Sequence, residues 1–493
     1  MRGWLRLVRA TDRALCDHAA LALVLALQAA FLAALVPYLL HEDTWLTLVA
    51  GRDVWQHGIP THDVLAVWTA GRTWIDQQWL AQLVFYAADR VGGLASVFVL
   101  HLVALTAALG LAMATARKRG ASGGGVFLIA LIALLVAPWS WQPRAQSLAE
   151  VPYVLLLALL LRERADGPGR RVLLALPLLV LWANLHGSVV IGVALVLAYA
   201  VLGLVRERGC GRIYLPLLLS PLCLLVTPYG VHTIHYYGAV FGNNLAALAP
   251  EWQTPHGREA IGFFLLAAVA VVLLLRGRRR LTTLELVVFV LTLGASLTAV
   301  RFFVWFALAM TMILPPFLRT PPLRVPAPVS RCGGWICATA VVGVVGALLV
   351  QPGSWYEREW PAHAGRALVA AERADRDGAI FVHGHEADWL LWRYPSLEGR
   401  IAYDARLELL SSAELQQVVR FDRREGRRWP SVTDGYAFVW VNSEARPEVA
   451  SALARQPGSK LIYRDRQITL LRRAAGSPIS ASARTASARA ADS

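Results

Sequence analysis

Residues 18–58 read HAALALVLALQAAFLAALVPYLLHEDTWLTLVAGRDVWQHG. The stretch 18–40 carries no Asp, Glu, Lys or Arg, and a bilayer core of about 30 Å needs about 20 apolar residues, so it spells one transmembrane helix. His41-Glu42-Asp43 then ends the apolar run, and TWLTLVAGRDVWQHG places Trp45, Leu48, Val49 and Trp55 on one helical stripe with Arg52, Asp53 and Gln56 elsewhere. A helix with an aromatic, apolar face and a polar back suits a membrane interface. Arg2, Arg6, Arg9 and Arg13 precede the span like the basic region of a signal peptide. The apolar stretch is long and lacks a small-residue cleavage site, which reads as an uncleaved anchor.

The same pattern continues along the chain. Of 493 residues, 56% are hydrophobic and 16% charged, against about 45–50% and 25% in soluble proteins. About eleven spans emerge, near 18–40, 94–116, 123–138, 147–161, 171–184, 187–205, 213–228, 260–275, 283–299, 302–318 and 333–350. Alternate loops hold the arginines: Arg117 to Arg119 with Lys118, Arg162 to Arg171, Arg206 to Arg212, Arg276 to Arg280 and Arg319 to Arg331. Those loops are cytoplasmic by the positive-inside rule, and an odd number of spans leaves the C-terminus outside an inner (plasma) membrane. The net charge of +15 is therefore a topology signal. No basic patch with interleaved aromatics speaks for nucleic acid. Cys16, Cys210, Cys223, Cys332 and Cys337 lie in or beside apolar segments and form neither a disulfide framework nor a zinc spacing.

From Trp355 the composition turns mixed and charged. AIFVH (379–383), RIAYDA (400–405) and YAFVWVN (436–442) read as strands, and KLIYRDRQITLLRR as a final hairpin. SSAELQQVVRF (411–421) and RPEVASALARQ (446–456) read as helices, the first opened by Ser, the second by Pro. Such alternation predicts a small α/β domain. The expected organisation is a cytoplasmic N-terminus at 1–17, a polytopic α-helical membrane domain at 18–351 with its first outer loop at 41–93, an extracytoplasmic α/β domain at 352–475, and a disordered tail at 476–493.

The first outer loop is too long for a connector. QQWLAQLVFYAADRVGG makes a second aromatic stripe, with Trp79, Leu83 and Tyr86, and PTHDVLAVWTAGRTWID between the helices carries turns and a short strand. Asp43, with Glu42 beside it, heads this loop where water meets lipid headgroups. A carboxylate there can serve as a general base on a hydroxyl or bind a metal beside a lipid phosphate; acids that merely keep a helix end wet look the same. Polar residues near other outer helix ends are functional candidates because ionisable groups are costly at membrane depth. They are Arg144, Asn184, His186, His232, His235 and Arg301, and Arg52 and Asp76 of the first loop join Arg144, His186 and Arg301 as candidate substrate-binding residues. Arginine suits phosphate because its planar fork donates two parallel hydrogen bonds. His383, His385, Glu386 and Asp388 form a polar cluster without the spacing of a zinc helix, and Asp404 with Arg406 reads as a structural pair.

The segment HEDTWLTLVAGRDVWQHGIPTHDVLAVWTAGRTWIDQQWLAQLVFYAADRVGG resembles the first loop of bacterial GT-C-type glycosyltransferase-like membrane proteins, and QPRAQS, WANLHGS, TPYG, PEWQTP and YDARLEL are similar to landmarks of one branch of them. The resemblance implies a membrane glycosyltransferase that takes a sugar from a polyprenyl-phosphate donor and passes it to a glycan, lipid or protein acceptor on the outer face. It implies that Asp43, with Glu42 beside it, is the first-loop carboxylate that serves as catalytic base or stands next to a metal, that a divalent metal ion is a possible cofactor, and that the α/β domain helps to bind the acceptor. With a single base the displacement would invert the anomeric centre. No Walker motif or Gly-rich dinucleotide fingerprint is present. Two other readings fit the same spans: a non-catalytic scaffold or assembly protein of this fold, and a transporter of lipid-linked substrates, for which paired broken helices or an internal repeat would be the sign.

Overall fold

The computed structural model describes residues 19–136, 141–166, 169–207, 210–242, 249–318, 327–373, 378–383 and 385–473. Cys16, the arginines at 2 to 13, Arg208, Arg319, Arg324 and the tail 476–493 lie outside the described residues. The chain forms two compact units. One comprises Met1–Leu39, Ala88–Gly230 and Pro250–Gln351; the other comprises Leu40–Ala87, Val231–Ala249 and Pro352–Ser493.

In the first unit each of the expected apolar segments is helical. Among the described residues, six helices are by themselves long and apolar enough to cross a membrane: Ala19–Tyr38, Trp79–Lys118, Ala145–Ala165, Val189–Arg206, Arg258–Arg276 and Ser330–Leu349. Gly123–Leu134, Thr283–Thr298 and Val300–Ile313 are apolar but shorter. The expected span at 213–228 is wound mainly as a 3-10 helix, Leu215–Leu225, with a proline in its first turn and Pro221 inside it. Each proline removes a backbone donor, which disfavours a regular α-helix there. The run Trp79–Lys118 is interrupted at Gly92 and at Gly93, whose φ of 63° suits glycine. The interfacial helix thus stops at the Gly-Gly pair, and the span starts at Leu94.

The middle of this unit is aromatic. The rings of Tyr153 and Trp305 lie 5.1 Å apart, those of Trp182 and Trp305 5.5 Å, and the Tyr153 hydroxyl donates to the Trp305 carbonyl at 2.8 Å. Phe263 stacks on Phe303 at 4.1 Å. Apolar side chains such as Phe31, Val205, Leu275 and Val342 face outward, which suits a surface solvated by lipid tails. The molecule is a multi-pass membrane protein.

The second unit is built on a four-stranded sheet in the order β1-β2-β4-β3, with β1 Ile380–His383, β2 Phe438–Asn442, β3 Ser459–Arg464 and β4 Ile468–Arg473. β1 and β2 run parallel and the hairpin β3–β4 is antiparallel, joined to β2 through β4. Ser411 caps the helix Ser412–Arg423 through a capping box with Glu414, which satisfies the first orphan N–H groups of that helix. The expected strand at 400–405 is reduced to one bridging residue, Ile401, which pairs in parallel with Ile380 on one side and Ala66 of the first loop on the other. Val67 and Trp68 donate to the carbonyls of Ile401 and Ala402 at 2.8 and 3.0 Å. The loop strand expected between its two helices therefore extends this sheet beyond β1.

The loop helix Glu42–His57 packs on Glu386–Arg393, a helix not anticipated from the sequence. Trp45 meets Trp360 edge-on at 5.3 Å, and Trp360 stacks on Trp389 at 5.9 Å. Gly51 is required by the close approach of the second loop helix: a Cβ there would lie 2.3 Å from the Gln82 carbonyl oxygen.

Candidate functional sites

The first unit holds an arginine site. Arg144, at the start of Ala145–Asp166, donates to Glu251 at 2.7 Å, and Arg301 lies 3.4 Å from the other oxygen of the same carboxylate. The Arg301 guanidinium rests on the Trp252 ring at 4.1 Å, a cation–π contact that holds its plane. Gln253 accepts the Val300 amide at 3.0 Å, so the turn bearing Glu251 is tied to the turn bearing Arg301. Burial favours the protonated Glu251, but Arg301 and Arg144 outweigh it and hold the carboxyl at about 2.

His186 completes the group. It caps the helix Ala175–Leu185, and its Nδ1 shares a 2.8 Å hydrogen bond with Ser188 Oγ, which also accepts from Trp182 at 3.1 Å. Burial, with Arg301 and Arg144 close by, pushes the imidazole well below its ordinary range and keeps it neutral. Arg144, His186 and Arg301 thus come together in this unit, whereas Arg52 and Asp76, chosen with them from the sequence, belong to the second unit. Glu251, within PEWQTP, was given no role from the sequence; a carboxylate beside a tryptophan between two prolines was the available signal. Two guanidiniums brought together in this way offer planar forks that suit an anion such as phosphate.

The second unit holds an acid cluster. Glu42 and Asp43 open the helix Glu42–His57, where carboxylates favour the positive end of the helix dipole. Glu42 pairs with His385. The hydrogen bond and charge of Glu42 raise His385 to about 9, with help from Glu386 and Asp43, so the imidazole is cationic at neutral pH. Asp43 also acts electrostatically on Glu408. Arg406 is buried against Asp404 and Asp63, the latter at 2.7 Å, with its guanidinium 4.3 Å from the Trp74 ring centre.

Asp388 accepts the Ala405 amide at 3.1 Å; burial and the neighbouring Asp404 charge push it well above the carboxylate range. Asp76 is buried and raised to about 7 by desolvation, against the opposing pull of the Gln78 amide, Arg406 and Gln82. Gln77 donates to the Tyr236 hydroxyl at 3.1 Å, and the buried carbonyl oxygens of Gln77 and Gln82 have no hydrogen-bond partner among the described residues. Such acceptors suit a hydroxyl-bearing ligand.

Glu42, Asp43 and Asp76 therefore share one cluster with His385, Asp388, Asp404, Arg406 and Glu408. Arg52 is placed apart, donating to the carbonyls of Leu391 and Trp392 and to Glu398 at 2.6 to 3.1 Å, where it closes the end of the helix Glu386–Arg393. Asn184 donates to the carbonyls of Val180 and Val226, both at 2.9 Å. His232 and His235 are exposed with rings 6.0 Å apart, and among the described residues no group of three or more His, Cys, Asp or Glu side chains could hold a metal ion.

The fold is similar to that of two solved structures of ArnT from Cupriavidus metallidurans. The structure bound to undecaprenyl phosphate is 14% identical, with a TM-score of 0.51 over 91% of this chain and 97% of that one. The apo structure is 16% identical, with a TM-score of 0.52 over the same shares. No protein-family model matches the sequence, and no curated protein does at a significant level.

Proposed function

We propose that this chain is a GT-C-type glycosyltransferase of the bacterial inner membrane, moving a sugar from a polyprenyl-phosphate donor to an acceptor on the outer face, with 352–475 as its extracytoplasmic domain. The observation that carries the reading is the arginine site: Arg144 and Arg301 converge on Glu251 and bring together two guanidinium forks of the kind that hold a phosphate. The GT-C fold supports it, as does the undecaprenyl phosphate bound by one of the ArnT structures.

In this reading Asp43, with Glu42 beside it, takes the proton of an acceptor hydroxyl, whose oxygen forms the new bond to the anomeric carbon. The bond from that carbon to the phosphate oxygen breaks, and the polyprenyl phosphate leaves with the electron pair. Arg144 and Arg301 stabilise the charge gathering on the phosphate, usually the largest electrostatic task in such a step. Neutral His186 offers the phosphate a hydrogen bond. Asp76, beside the open oxygens of Gln77 and Gln82, receives sugar or acceptor hydroxyls, and Arg52 braces the helix that presents Glu42 and Asp43.

The test is sugar transfer by the purified protein in lipid from a pool of polyprenyl-phosphate sugars, for wild type, Asp43→Asn and Arg144→Ala. Transfer by wild type and loss in both variants, with unchanged melting behaviour, supports the assignment. Full transfer by Asp43→Asn removes Asp43 as the base. A folded wild type inactive with every donor sinks the reading in favour of a scaffold. Addition of EDTA to the same assay reads out any contribution from a divalent ion.

A further inference from the structure

We infer that His101 is the positioning residue of the arginine site: it fastens the turn that presents Arg144 and thereby sets how firmly a lipid-linked phosphate is held. The inference rests on the reading of Arg144 as a phosphate-binding residue, and every residue it uses belongs to the first unit.

His101 was not among the candidates drawn from the sequence. It lies in the part of Trp79–Lys118 that follows the break at Gly92 and Gly93, and it is buried. An imidazole at membrane depth is costly unless its polar atoms are matched, and here both ring nitrogens are. Nε2 lies 2.6 Å from the Trp141 carbonyl oxygen and Nδ1 lies 2.9 Å from the Ser147 hydroxyl. A carbonyl only accepts, so Nε2 carries the proton and Nδ1 accepts from Ser147. The hydroxyl has this nitrogen nearer than its other acceptor, the Gln142 carbonyl at 3.4 Å.

Both contacts fall on one short turn, 141–147, on either side of Arg144. Ser147 grips Arg144 by its main chain: its hydroxyl oxygen accepts the Arg144 N–H at 3.5 Å, and its own amide donates to the Arg144 carbonyl at 2.9 Å. His101 fixes which way that hydroxyl points, and its bond to Trp141 fixes the other end of the turn. From this clamp the Arg144 side chain reaches Glu251. A histidine that only filled space in the helix bundle would not need to bond two points of the same turn.

The test is binding of undecaprenyl phosphate to the full-length protein in nanodiscs, read by native mass spectrometry, with undecaprenol as the uncharged probe. His101→Phe should weaken undecaprenyl phosphate binding about tenfold, the worth of two hydrogen bonds at a buried group, and leave undecaprenol binding unchanged. His101→Gln, whose amide can still donate to the Trp141 carbonyl, should keep part of the affinity. His101→Phe combined with Arg144→Ala should bind no more weakly than Arg144→Ala alone, because His101 acts only through Arg144. Losses that add, or an equal loss for both probes, overturn the positioning role and leave His101 a packing residue. Weakening by Arg144→Ala with none by His101→Phe does the same. No effect of Arg144→Ala overturns the phosphate reading itself, and the positioning role falls with it.

Discussion

Asp76→Asn should make the protein's stability less sensitive to pH. In the unfolded chain this carboxyl ionises near 3.8; in the fold, burial raises it to about 7. Between those values the folded state holds a proton that the unfolded state has released, so stability falls as pH rises from about 4 to about 7 and levels off above. The gap corresponds to at most about 4 kcal/mol. At about 2 °C per kcal/mol for a chain of this size, that is roughly 8 °C of melting temperature. Asparagine cannot ionise and keeps a similar shape. The variant should therefore match wild type near pH 4.5 and melt several degrees higher near pH 8, measured by tryptophan fluorescence in one detergent at constant ionic strength. A difference between variant and wild type that is the same at both pH values would refute the reasoning, because it would mean that Asp76 ionises in the fold as it does in the open chain.

Other outcomes follow from the two sites. Arg144→Ala should lower sugar transfer by about a hundredfold or more, and Arg301→Lys by roughly tenfold, since lysine keeps the charge but loses the fork and the stacking on Trp252; initial rates with a polyprenyl-phosphate donor check both. Arg406→Met leaves the buried Asp63 and Asp404 without their cation and should cost about 3–5 kcal/mol in denaturant unfolding. The triple change with Asp63→Asn and Asp404→Asn should recover part of that loss. Gly51→Ala should destabilise the second unit by about 1–3 kcal/mol, because the methyl group meets the Gln82 backbone and the loop helices must move apart; thermal unfolding reads this directly.

The membrane part was largely legible because a bilayer imposes length and charge rules that act residue by residue. Apolar runs located the helices, and Gly92-Gly93 marked where loop gave way to span. Arg144, His186 and Arg301 could be picked out by their shared position at helix ends, while Arg52 and Asp76, chosen with them, belong to the second unit. What escaped was pairing at a distance. Glu251 looked like any outer acid, because nothing local says that two arginines more than a hundred and exactly fifty residues away meet on it. The helix Glu386–Arg393 was hidden by its polar opening, and its buried face becomes apparent only once Trp45 and Trp360 are packed on it. The strand expected at 400–405 has the right composition, but its hydrogen bonds are divided between Ile380 and the first loop, which leaves only one residue in a bridge.

That divided pairing bears on how the protein is made. The partners of Val67 and Trp68 are the carbonyls of Ile401 and Ala402, and Arg72 waits for Glu414, the ion pair that joins the loop to the capped helix. A ribosome adding about 5–20 residues per second needs some tens of seconds to supply them. During that interval the first loop has its edge unpaired and its tryptophans uncovered, a state open to proteases and chaperones. A chain truncated after residue 351 would stay in that state. Separate expression of the two pieces should restore the loop only if the C-terminal piece reaches it before degradation does.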